Sequence, residues 1–184
     1  MGTALLVIVG LVVLVVIWVI ASYNRLVGLK NRIDNAWAQI DVQLKRRYDL
    51  IPNVVETVKG YASHEKEVFE NVAAARSAMM GAQGVEQQGQ AQNQITQSLK
   101  SLFAVAEAYP ELKANENFMA LQQELSGTED TIAQSRQIYN DVVVNFNTTI
   151  QSFPSSVIAN SFGFKQREYF PMEDAAREAP KVSF

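Results

Sequence analysis

Few side chains in this 184-residue chain can do chemistry. It has no cysteine, which removes disulfides, thiolate metal sites and cysteine nucleophiles together. Its single histidine, His64, stands beside Glu65 and Glu67. A di-iron helical bundle needs a glutamate three residues before the histidine, and that position is Tyr61. The trio therefore reads as a solvated helix face. Two polar series remain. Glu129, Arg136, Asn140 and Asn147 recur at steps of seven, four and seven, and Asp34 and Asp41 are seven apart with Lys45 one turn further on. Opposite charges at this spacing fix the register of neighbouring helices rather than move protons. If the helices carrying the two series are antiparallel neighbours, Arg136 comes near Asp41 and Glu129 near Lys45. The competing reading is a polar interface between copies. Lys45-Arg46-Arg47 reads as a basic helix end that offsets the dipole and solvates a surface. No catalytic constellation, metal set or cofactor motif emerges, so the chain reads as a non-enzyme with no small-molecule substrate. A net charge of −3 and a pI near 5.2 argue against nucleic acid as a partner.

The elements that must position these residues begin with Gly2 to Ala21, twenty residues without a charge. At helical rise that is about 30 Å, the thickness of a bilayer's hydrocarbon core. Lipid offers no hydrogen bonds to the backbone, so such a segment must be helical. Trp18 and Tyr23 stand near its end, where amphipathic rings suit the membrane–water boundary. A secretory signal peptide is the competing reading, with Val19-Ile20-Ala21 as a cleavage site. The missing basic start and the length of the apolar run favour an uncleaved anchor, residues 1–22. Arg25, Lys30 and Arg32 follow the span, which predicts an outside N-terminus and a cytoplasmic domain.

From Tyr23 apolar residues recur every three or four positions. Leu26, Leu29, Ile33, Trp37, Ile40, Leu44 and Tyr48 form one stripe, so the first soluble helix continues the anchor. Pro52 suits a helix's first turn and predicts a tight turn there with a second helix to Met80. Ile51, Val55 and Val58 stay in phase with the first stripe, which leaves one kinked helix open. Gly84 and Gly89 predict a hairpin within a glutamine-rich stretch, and a third helix follows from about Ile95 towards Pro110. Asn115 or Asn117 is placed to cap a fourth, whose stripe runs from Phe118 through Leu125, Ile132, Tyr139 and Phe146 to Phe153. A seven-residue repeat of that length means near-parallel helix packing. The fold class is all-α: an antiparallel up-and-down four-helix bundle over residues 23–153 behind one span.

Pro154 closes the fourth helix. Residues 154–170 mix aromatics with Lys165 and Arg167. In an up-and-down bundle rooted in a membrane they return to the bilayer, so Phe153, Phe162, Phe164, Tyr169 and Phe170 read as interfacial anchors. A flap plugging the bundle end is the equal alternative. Residues 171–184 read as a mobile tail, and its Val182-Ser183-Phe184 end matches what carboxylate-capture domains accept.

The run Trp37-Ala38-Gln39-Ile40-Asp41 through Arg47-Tyr48-Asp49-Leu50-Ile51-Pro52-Asn53, then Lys59-Gly60-Tyr61-Ala62 and His64-Glu65, closely resembles the LemA family of bacterial membrane proteins. Gly127-Thr128-Glu129, Arg136, Tyr139-Asn140, Phe146-Asn147, Phe153-Pro154 and Phe162-Gly163-Phe164 extend the resemblance over nearly the whole chain. It implies an antiparallel four-helix bundle behind one N-terminal span, with the N-terminus outside and a turn at Pro52. It implies no established activity. Relatives in magnetosome membranes suggest by analogy a part in organising membrane. The expectation is a non-enzymatic scaffold of the bacterial inner membrane, in contact with lipid, assembling with itself or with other membrane proteins. The alternatives are an adaptor presenting clients to a membrane protease or hydrolase, and a ligand-sensing bundle.

Overall fold

A computed structural model describes residues 2–171 of the chain, and every element among them is helical. The long helix α1 covers Gly2–Lys59, α2 Lys66–Gly81, α3 Gly84–Glu107, the single turn α4 Pro110–Lys113, α5 Glu116–Gln151 and α6 Ser155–Ser161. The chain divides into two compact units, Met1–Ala38 with Gln137–Glu168 and Gln39–Arg136 with Tyr169–Phe184. The mobile tail expected from 171 onward, with its Val182-Ser183-Phe184 end, lies outside the described residues beyond Pro171.

The turn expected at Pro52 is absent, because α1 passes through it without a break. An interior proline removes one hydrogen bond and costs about 3 kcal/mol. On either side of it Ile51, Val54 and Val58 keep the buried phase and are at most 1% exposed. Each buried aliphatic contributes about 1.5–3 kcal/mol, so the continuing stripe outweighs the proline. The helix ends at Lys59, just before Gly60, and His64 lies exposed in the following turn rather than on a helix face.

The hairpin is also shorter than the glutamine-rich stretch suggested. Only Ala82 and Gln83 separate α2 from α3, and Gly84 opens α3 at φ +77°, a conformation that favours glycine. Gly89, expected in the turn, is buried inside α3. Asn115 caps α5 as expected, its Oδ1 accepting the Phe118 N–H at 3.0 Å while its amide donates to the Tyr61 hydroxyl at 3.1 Å.

The second unit's core draws on all four long helices: Ile51, Val54 and Val58 of α1, Phe69 and Val72 of α2, Ile95, Leu99 and Leu102 of α3, and Phe118 and Leu125 of α5. In the first unit Leu26, Leu29, Ile33 and Ala36 of α1 are buried, as are Tyr139, Val143, Phe146 and Ile150 of α5 and Ile158 and Ala159 of α6. Trp37 meets Tyr139 edge to face at 5.7 Å. Residues 2–18 are exposed throughout, and α1 is long and apolar enough to cross a membrane.

Candidate functional site

Arg47 organises the polar part of the second unit. It is 2% exposed, because position 47 falls three residues after Leu44 and four before Ile51 on the buried face of α1. A guanidinium cannot be buried unpaired without a cost of several kcal/mol, and the surrounding helices supply acceptors. One Nη donates to Gln92 Oε1 at 3.0 Å, the other to Thr96 Oγ1 at 2.9 Å, and that second Nη stands 2.8 Å from Glu129 Oε2. The Thr96 hydroxyl lies 3.2 Å from Glu129 Oε1 and 3.0 Å from the Gln92 carbonyl, either of which can take its proton. One residue of α1 is thus tied to both α3 and α5. Arg46 pairs with Glu124 at 2.9 Å in the open, where an ion pair contributes little.

The expected basic helix end is therefore corrected at Arg47, which is an interior residue in the middle of a helix. Glu129 takes Arg47 as its ion-pair partner in place of the expected Lys45. Lys45 and Asp41 are exposed and line a cleft of about 280 Å³ with Tyr48, Met80 and Gln88.

Arg136 is half-buried and holds the returning C-terminal chain. Its Nη2 donates to Asn93 Oδ1 at 3.3 Å and to the Pro171 carbonyl at 3.1 Å, and its guanidinium stacks over the Phe170 ring at 4.3 Å. Phe170 is 2% exposed, so its assignment to the membrane interface is corrected: the ring belongs to the core of the second unit. Gly89 makes the room. A Cβ there would collide with the Pro171 ring and crowd Phe170.

In the first unit Asn147 is buried and clasps the backbone of Arg167 twice. Its amide donates to the Arg167 carbonyl at 2.9 Å and its Oδ1 accepts the Arg167 N–H at 2.9 Å. The Arg167 side chain reaches Asp34 at 2.5 Å. The buried Tyr139 hydroxyl donates to the Glu168 carbonyl at 3.0 Å. Burial pushes the Tyr139 phenol above its usual value of 10, with Glu168 and Asp34 adding to the rise and Arg167 opposing it. Asn140 is half-buried.

The aromatic residues expected at an interface fall into two groups. Trp18, Tyr23, Phe153, Phe162 and Tyr169 keep from 37% to 85% of their surface. Phe164 is half-buried, 5.9 Å from Tyr23 and 6.3 Å from Phe146. Sequence reasoning missed Arg47, whose signal was its phase on the apolar stripe, and the Asn147–Arg167 clasp, which left no signal at all. Among the described residues no group of three or more histidines and carboxylates is arranged to hold a metal.

These features define a class: a helical protein with a membrane-length apolar first helix, keyed by buried polar side chains. A family model described as the LemA family matches residues 36–184, and the chain belongs to that family. It is 27% identical to Magnetosome protein MamQ 2 of Paramagnetospirillum magneticum, over 88% of this chain and 68% of the relative. It is 26% identical to Protein LemA of Metamycoplasma hominis, over 84% of this chain and 71% of the relative. Magnetosome protein MamQ of Magnetospirillum gryphiswaldense is 25% identical over 88% and 68%.

Proposed function

We propose that this LemA-family protein is a single-pass scaffold of the bacterial inner membrane. Residues 2–21 cross the bilayer with the N-terminus outside, and an antiparallel four-helix bundle stands on the cytoplasmic side. The protein works by holding copies of itself or other membrane proteins in place, without catalysing a reaction. The observation that carries this reading is the character of α1. Its first twenty residues carry no charge and are almost entirely exposed, yet the same helix runs on to supply core residues such as Ile40 and Ile51. Apolar side chains left in water over that length would cost far more than a folded domain's net stability, and lipid relieves the cost. Relatives named magnetosome proteins lend the reading a setting in membrane organisation.

Light scattering on the full-length protein in detergent, after size-exclusion chromatography, tests the scaffold. A homo-oligomer of defined size is the expected result. A monomer that co-purifies with a protease or hydrolase would favour an adaptor, and a monomer alone would overturn self-assembly.

A further inference from the structure

Between Asp141 and Lys165 there is no charged side chain, the longest such run after the one that ends at Arg25. In the first unit these two uncharged runs meet. Phe162 packs against Tyr23 in a tilted contact at 4.8 Å and Phe164 approaches the same ring at 5.9 Å. Tyr23 lies two residues past Ala21, about 3 Å of helical rise beyond the end of the apolar span.

The short helix α6 and the residues flanking it divide by exposure. Ile158 and Ala159 are buried, whereas Val157 is 54% exposed, Phe162 55% and Phe153 85%. Two phenylalanines and a valine are thus exposed, and one of them, Phe162, lies against the first ring past the span. Phe153–Phe162 carries no charge, and its three serines and Asn160 supply uncharged polar groups, which suits the headgroup layer. The charges nearest Tyr23 and Phe162 along the chain, Arg25 and Lys165, are exposed and basic, as a surface facing anionic headgroups requires.

We propose that Phe153–Phe162 is a second membrane contact of this chain, a foot lying on the same bilayer that α1 crosses. Phe153, Val157 and Phe162 enter the headgroup–acyl boundary to a depth of about 5–10 Å, and Arg25 and Lys165 meet anionic headgroups. Ile158, Ala159 and Phe164 face the protein instead. The proposal rests on the anchor reading of residues 2–21 and adds the lipid-facing residues beyond it.

The absence of cysteine makes the test direct. Full-length single-cysteine variants Phe153→Cys, Val157→Cys, Leu11→Cys and Asp141→Cys are spin-labelled and reconstituted in vesicles of phosphatidylethanolamine and phosphatidylglycerol. Collisions with oxygen and with a water-soluble nickel chelate are then read at each label. Positions 153 and 157 are expected between the other two, with a several-fold loss of nickel collisions relative to 141. Labels at 153 and 157 as wet as 141, with 11 deep in lipid, would overturn the foot and leave the anchor intact. A wet label at 11 would bring down both. Spin–spin broadening at 153 between copies, without lipid depth, would overturn the foot by assigning the face to a second copy. Because both substituted side chains are more than half exposed, unchanged helicity is expected in both variants.

Discussion

The Arg47 guanidinium lies 2.8 Å from the Glu129 carboxylate with its own side chain only 3% exposed, while the glutamate keeps 31% of its surface. Opening a buried pair from one side is far more costly than never having made it, because the remaining group is left desolvated. Arg47→Ala strands Gln92 and Thr96 as well as Glu129. We expect a loss of about 2–4 kcal/mol in urea unfolding, tempered by the water that reaches Glu129. Arg47→Met with Glu129→Gln should recover much of it. Equal stability of Arg47→Ala and the parent protein would contradict the keying role.

Gly89→Ala tests the seat of Phe170. The new methyl group would occupy the space of the Pro171 ring, and an overpacked core typically loses about 1–3 kcal/mol. The expected outcome is a lowered melting temperature together with faster amide exchange at Phe170. A more stable variant, as alanine would give at an uncrowded helix site, would show that the approach is not tight.

Asn147→Ala removes both hydrogen bonds that hold the Arg167 backbone. Two polar backbone groups and no replacement partner predict a loss of about 1–3 kcal/mol. Protease cleavage after Arg167 should accelerate in step with it. Asn147→Asp keeps the acceptor for the Arg167 N–H but loses the donor to its carbonyl, so it should fall between the two.

Tyr139 gives a pH signature. Its phenol is held above its ordinary value of 10, chiefly by burial, so the folded state favours the neutral form. Stability from this group is therefore complete below pH 10 and is lost as pH rises through the higher folded-state value. Ultraviolet titration should show a tyrosine ionising later than the others, and Tyr139→Phe should abolish that late step. Loss of the late step without unfolding assigns it to Tyr139; its persistence would exclude that residue.

Much of this architecture was legible because it rests on local rules. The apolar period of α5, the cap at Asn115 and the continuation of the anchor into soluble helix each follow from a few adjacent residues. Pro52 misled because a local proline rule was outweighed by burial further along the same face, which only packing reveals. Arg47 misled in the opposite way. Its charge suggested water, while its phase on the stripe, three residues past Leu44, put it inside. Phe170 and Gly89 were out of reach of sequence, since their relationship depends on where the chain returns after α6.

The central claim is that Gly2–Ala21 lies in a bilayer as the uncleaved start of α1, and alkaline carbonate extraction with intact-mass analysis of the same fraction tests it most directly. The expected result is protein retained in the membrane pellet at the full mass of 20.5 kDa. Release into the supernatant, or a mature chain beginning after Ala21, would contradict it.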